Sequence, residues 1–360
     1  MTPTATSTAL ALPALLAASI ALADSPAPDF LGQIIVPSGL SIAGVPFGGI
    51  SDLSYDAATG HFHAISDDRA DHGPARRYDL ALTAGEDGVV TLDIVSMTEL
   101  TDETGAAFAP RATDPEGIAW DGAGQRLFWS TERDAAGVPA IYVTAADGTT
   151  RRLTIPEAYT PDSDGTRGVF NNLAFEALAL SADGSRLFVG TENGLAQDGD
   201  RATLEAGSPA RILVIDTNSL EPVAEYVYPT EPIFEAASQE PFWNDNGLTA
   251  FETLPDGRLV AVERSYAHGV GNHIRVFTVS LDGADSILGQ DDIAAAAPVT
   301  KTPWFEIGEG DHGLDIDNIE SLSWGPEIGG RPIMVLASDD NFNAATQFTQ
   351  FVVFTLPGDM

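Results

Sequence analysis

Along most of the chain, short apolar runs alternate with polar turns rich in Asp and Gly, and no long stretch shows helical spacing. Runs this short, bounded by turn residues, are strands. One unit recurs: an apolar strand, a tight turn, a second apolar strand, then an acidic residue often followed by Arg or Asn. Its copies pair Ser51–Tyr55 with His63–Arg69, Glu116–Trp120 with Leu127–Arg133, and Glu176–Leu180 with Leu187–Asn193. The last two pair Asn246–Ala250 with Leu259–Arg264, and Glu320–Trp324 with Val335–Asn341. Intervening turns such as Ala182-Asp183-Gly184-Ser185 and Pro255-Asp256-Gly257-Arg258 are hairpin signals. Weaker strand candidates follow each pair, for example Ala140–Ala145 and Arg151–Ile155 around Asp147-Gly148. Four antiparallel strands per repeat predict the blade of a β-propeller, an all-β fold, and exclude Rossmann and TIM-barrel alternatives.

The spacing sets the number of blades. First strands begin at 51, 116, 176, 246 and 320, which are 65, 60, 70 and 74 residues apart. The 40 residues after Glu320 hold only two further strands, while the apolar run Phe30–Val36 precedes Ser51. Joined across the termini, the two ends make one more repeat. The expectation is a five-bladed ring whose N-terminal strand completes the last blade, which removes an exposed sheet edge. The rival is six blades, one of them degenerate within 265–315 or 70–112.

Residues 1–23 carry no charged side chain, and Ala21-Leu22-Ala23 before Asp24 resembles a small-x-small cleavage site. This predicts a signal peptide over 1–23 and one domain over 24–360, a protein periplasmic or secreted, with no membrane insertion after signal removal. The chain holds 17 basic against 53 acidic residues, a formal charge of −36, and no cysteine. Such acidity excludes nucleic acid as a partner. The missing cysteine excludes a disulfide framework, a thiolate metal site and a cysteine nucleophile. A monomer is expected.

Register concentrates part of that charge. The start of strand one and the end of strand two face each other across a hairpin and so share one rim. Strand one is innermost in a blade, so Ser51, Glu116, Glu176, Asn246 and Glu320 are expected to ring the channel. Asp67, Asp68, Glu132, Glu192, Glu263, Asp339 and Asp340 form a second ring, followed by Arg69, Arg133 and Arg264. Converging carboxylates repel unless neutralised. Glu116, Glu176, Asn246 and Glu320 offer the oxygen ligands that suit Ca2+, and the three arginines suit an anion. Alternatively, the acids cap strand ends and the arginines form ordinary ion pairs.

Gly48-Gly49-Ile50-Ser51-Asp52-Leu53-Ser54-Tyr55, Ile65-Ser66-Asp67-Asp68-Arg69, Pro115-Glu116-Gly117-Ile118, Phe175-Glu176-Ala177-Leu178 and Glu263-Arg264-Ser265-Tyr266 resemble the phytase-like domain, described as having esterase-like activity of phytase. The resemblance spans roughly 30 to 356. It implies a β-propeller and hydrolysis of a phosphate or carboxylic ester. Arg69-Ala70-Asp71-His72-Gly73-Pro74-Ala75-Arg76 lacks the spacing of a histidine acid phosphatase, and no Gly-x-Ser-x-Gly elbow occurs. The single lysine departs from the lysine-rich phosphate cradle of calcium-dependent propeller phytases.

The resulting expectation is calcium-assisted hydrolysis of a small-molecule ester or phosphoester at the channel mouth. Arg69, Arg133 and Arg264 polarise the substrate, and His72 and His268, in rim loops, serve as acid–base candidates. Two other readings use the same ring: a non-catalytic, calcium-stabilised propeller that binds a ligand or protein, and a calcium-dependent lactonase.

Overall fold

The computed structural model describes residues 26–357; the signal peptide expected over 1–23 lies outside them. The described chain contains five four-stranded antiparallel sheets. Blade 1 comprises Ile50–Asp56, His61–Ser66, Arg76–Ala84 and Val90–Glu99. Blade 2 comprises Pro115–Asp121, Arg126–Thr131, Ala140–Ala145 and Thr150–Arg152. Blade 3 uses Phe175–Leu180, Arg186–Thr191, Pro209–Asp216 and Glu221–Pro229. Blade 4 uses Asn244–Thr253, Leu259–Ala267, Gly271–Ser280 and Thr300–Gly308. Blade 5 takes Ile319–Ile328, Arg331–Ser338 and Gln350–Thr355, and its fourth strand is Asp29–Ile35 from the other end of the chain.

The first strands of the five blades touch one another in ring order and line the centre. Both stretches suspected of hiding a sixth blade are accounted for. Residues 70–112 supply the outer strands of blade 1, and 265–315 supply the outer strands of blade 4. The ring is therefore five-bladed, closed by Asp29–Ile35 in antiparallel register with Gln350–Thr355.

Apolar side chains do not form one central core. They form five wedges, one between each pair of neighbouring blades. Between blades 3 and 4, for instance, Ala177, Ile212 and Val214 meet Leu248, Phe251 and Ala261. A second strand such as Leu259-Val260-Ala261-Val262 is buried on both faces, which explains its unbroken apolar run. The outer strand Val90–Glu99 instead alternates between covered and open positions.

Blades are also pinned by polar contacts. The Ile118 N–H donates to Asp52 Oδ2 at 2.8 Å, and the Trp120 N–H to Ser54 Oγ at 2.9 Å, both from blade 2 to blade 1. Glu252 receives the Trp324 N–H at 3.4 Å across the boundary of blades 4 and 5. No helix among the described residues is long and apolar enough to cross a membrane.

Candidate active site

Each inner strand carries a bulge, near its start in four blades and midway along it in blade 4, where the ladder is interrupted and a side chain re-aimed. The bulged residues are Ser51, Glu176, Thr249 and Glu320, and in blade 2 the pair Glu116-Gly117 opposes a single residue. The second strand ends consistently too. Opposite the residue before each bulge stand Ser66, Thr131, Thr191, Glu263 and Ser338, all fully buried. The next residues, Asp67, Glu132, Glu192, Arg264 and Asp339, reach the channel mouth.

Blade 4 therefore departs from the expected register. Its inner-ring member is Thr249, not Asn246, and its second-ring member is Arg264, not Glu263. Asn246 is paired regularly with Ser265 three residues before the bulge. Its amide is turned into the blade, donating to Glu231 O (2.9 Å) and Glu263 Oε2 (3.0 Å) and accepting from Arg275 Nη2 (2.8 Å). Glu263 occupies the column where the other blades carry a hydroxyl. It is held by Tyr228 Oη (2.9 Å), the Glu231 N–H (2.7 Å) and Lys301 Nζ (2.6 Å). The chain's only lysine thus neutralises one buried acid.

The mouth collects Glu116, Glu176 and Glu320 with Asp67, Glu132, Glu192 and Asp339, while Arg264 fills the fifth place. Arg264 is buried and reaches Asp245 (3.1 Å), Glu320 (3.5 Å) and Glu192 (3.6 Å). Gly247 makes that convergence feasible, because a methyl group there would collide with the Glu192 side chain. Gly49 does the same for Asp67, and its φ of +63° also favours glycine.

Toward blades 2 and 3 the carboxylates gather around Glu132. One ligand oxygen each from Asp114, Glu116 and Glu132 lie within 4.8 Å of one another, as do oxygens from Glu132, Glu176 and Glu192. Glu132 belongs to both groups and also accepts the Ala174 N–H at 2.7 Å. Ser51 donates to Glu116 Oε2 at 2.5 Å.

Burial, then the repulsion of neighbouring acids, pushes Glu116, Glu176, Asp67 and Asp339 well above the usual carboxylate range. Burial pushes Glu132 up to about 7. Burial also raises Glu192 and Glu320, even with Arg264 pulling each back. These acids either hold protons or share a cation.

Asp114 is the main residue that the repeat alone did not disclose. It lies two before Glu116, on the same face of an extended segment, and it anchors both nearby arginines. Arg133 Nε donates to Asp114 Oδ2 at 2.6 Å, while its other nitrogens reach Asn171 (2.8 Å) and Asn172 (2.6 Å). Arg69 Nε lies 3.4 Å from the same oxygen and is buried without a hydrogen bond, and no hydrogen bond engages its Nη groups among the described residues. Together with Asp67, Glu116, His72 and Phe342 they line a cavity of about 230 Å3. The buried Asp67 Oδ1 in this cavity has no partner.

His72 is at the cavity lip, stacked on Phe342 with ring centroids 4.5 Å apart. His268 lines neither this cavity nor its neighbour, and its backbone carbonyl holds the Ser238 N–H at 2.9 Å. Other expected second-ring acids are structural: Asp68 pairs with buried Arg76 at 2.5 Å, and Asp340 receives the Gly49 N–H at 2.8 Å. A wider cleft of about 1670 Å3 over blades 3 to 5 adjoins the cavity and shares Asn172, Glu320 and Asn341 with it.

The family model for phytase-like proteins, described as esterase-like activity of phytase, matches residues 45–342. The chain belongs to the phytase-like family. No curated protein matches this phytase-like sequence. Among solved structures, the β-propeller domain of Cps50 (Swd1) from Myceliophteria thermophila is 12% identical with a TM-score of 0.38, covering 90% of this chain and 100% of that one. The periplasmic gluconolactonase PpgL of Pseudomonas aeruginosa is 11% identical with a TM-score of 0.37, covering 87% of this chain and 90% of that one.

Proposed function

We propose that this phytase-like propeller is a hydrolase of phosphate or carboxylic esters that works with a divalent cation, calcium, at the carboxylates of blades 2 and 3. The observation that carries this is Glu132, shared by two groups of three buried carboxylates beside a cavity that holds Arg69. The donor set is all oxygen, with no thiolate in the chain, which suits a hard cation over zinc or copper. Glu132 would hold it together with either Asp114 and Glu116 or Glu176 and Glu192, and Glu320 belongs to neither group. Such a cation supplies Lewis-acid polarisation of the ester.

The chain's own groups do the rest. Arg69, leaning on Asp114, offers its open guanidinium N–H groups to the developing oxyanion. Arg133 fixes Asn171 and Asn172 at the entrance. His72, at the cavity lip, would pass the proton of the attacking water toward the departing alcohol. Arg264 acts as a positioning residue for Glu192 and Glu320, and His268 braces a loop.

A non-catalytic, cation-stabilised binding propeller is the second reading, favoured by the full commitment of Arg133 to Asp114, Asn171 and Asn172. Calorimetric Ca2+ titration, paired with assays on aryl acetate, aryl phosphate and lactone, separates the two. The hydrolase reading expects turnover that requires Ca2+, with about a hundredfold loss in Arg69→Ala and loss of Ca2+ binding in Glu132→Gln. A calcium-dependent rise in melting temperature with no turnover selects the binding module. An absence of Ca2+ binding at millimolar concentration sinks the cation.

A further inference from the structure

The wide cleft has a chemistry of its own. At about 1670 Å3 it exceeds the roughly 300–1,000 Å3 that encloses a drug-sized ligand, so its occupant extends beyond a scissile group. Its lining carries eight carboxylates against two arginines. Arg264 is already shared among Asp245, Glu192 and Glu320, and Arg201 lies 5.8 Å over the Phe170 ring. One divalent cation nearby leaves that balance negative, so the field opposes a phosphate-bearing or otherwise anionic ligand.

The wall also has acceptors in excess of donors. Asn272 is only 9% exposed, donates through Nδ2 to Ile316 O at 3.3 Å, and keeps its Oδ1 without a partner. A buried acceptor left unpaired costs about 1–3 kcal/mol, which a ligand donor recovers when the amide turns to present Oδ1 to the cleft. On the rim, Trp243 is 55% exposed and packs against Tyr266, with centroids 5.3 Å apart at 46°. That aromatic corner offers a flat apolar surface beside hydrogen-bonding groups.

The matching ligand has an apolar ring face, hydroxyl or ammonium donors on its edges, no negative charge, and more than one ring. We propose that this cleft binds a non-anionic saccharide chain, neutral or aminated, stacked on Trp243 with a donor on Asn272. Resting on the hydrolytic reading of the adjoining centre, the saccharide is the alcohol part of the substrate, an O-acylated sugar. Water oxygen bonds to the acyl carbon, the acyl–oxygen bond to the sugar breaks, and a water proton ends on the sugar hydroxyl.

The test is calorimetric titration of the calcium-loaded chain with xylotetraose, mannotetraose, the glucosamine tetramer and tetragalacturonate, alongside acetate release from acetylated xylotetraose. At least one of the first three should bind, with tetragalacturonate silent. Trp243→Ala should weaken binding about tenfold at an unchanged melting temperature, and Asn272→Ala should weaken it as well. No heat with any non-anionic tetramer, tighter binding of tetragalacturonate, or unaltered affinity in Trp243→Ala overturns the proposal. Binding without acetate release supports the cleft assignment and counts against the hydrolytic reading. Aryl acetate turnover without tetramer binding does the reverse.

Discussion

Blades 3 and 4 are built from the same hairpin, yet they deliver opposite charges to the channel mouth. Blade 3 bulges at Glu176 and follows the buried Thr191 with Glu192; blade 4 bulges at Thr249 and follows the buried Glu263 with Arg264. The register is the same in both blades and its occupants differ: Thr249 stands for Glu176, Glu263 for Thr191 and Arg264 for Glu192. Blade 4 thereby contributes a fixed guanidinium where its neighbours contribute carboxylates. The ring thus has a self-neutralised side around Arg264 and a cation-seeking side around Glu132. The cost falls inside blade 4, where Glu263 requires Lys301 and Tyr228 as partners.

The contrast is broken most severely at its cation. Arg264→Gln leaves buried Glu192 and the partly covered Asp245 and Glu320 without it, and stability should fall by about 3–5 kcal/mol. Urea unfolding at pH 8 measures this, and added Ca2+ should restore part of the loss. A loss below about 1 kcal/mol, the size of an exposed pair, would mean the arginine is not the counter-charge of the ring.

Glu252 sharpens the same contrast, because it is a largely covered acid of blade 4 with no salt bridge among the described residues. Burial raises it from 4.5 to about 7. Below pH 4.5 both folded and unfolded chains hold the proton. Between 4.5 and 7 only the folded chain does, so this group makes stability fall as pH rises, and above 7 its full cost is present. Glu252→Gln should therefore stabilise by about 3 kcal/mol at pH 8 and by almost nothing near pH 4. Equal gains at both pH values would refute the assignment.

The smallest expected effect concerns Asn246. Its replacement by Ala removes bonds to Glu231, Glu263 and Arg275 and should cost about 1–3 kcal/mol, with Ca2+ affinity unaltered. A tenfold weaker affinity in calorimetry would return Asn246 to the cation site.

The five blades, their order and the closing strand were legible because each rests on a local pattern: apolar runs, Asp-Gly turns and repeat length. The acid column was legible in blades 1, 2, 3 and 5 for the same reason. Blade 4 was not, since Glu263-Arg264-Ser265 offers an acid one position early and bulge placement depends on packing against blade 5. The visible clue was the hydroxyl that ends the second strand elsewhere, at Ser66, Thr131, Thr191 and Ser338. Asp114 escapes the repeat because its column, two residues before the bulge, holds Gly49, Ala174, Gly247 and Asn318 in the other blades. His268 failed to reach a cavity because a shared rim does not determine which way a loop side chain turns.

The strand that closes blade 5 sets how the ring comes into being. Asp29 pairs with Thr355 and Ile35 with Gln350, so the first and last strands of the described chain are neighbours. Blades 1 to 4 each acquire all four strands from one continuous stretch, and each can form soon after it leaves the ribosome. Blade 5 must wait for both ends. Loop entropy makes that final pairing costly but only logarithmically so, and its very non-local contacts make it slow. During synthesis the N-terminal strand therefore remains without its partner until the last strand arrives, and one late event seals the molecule.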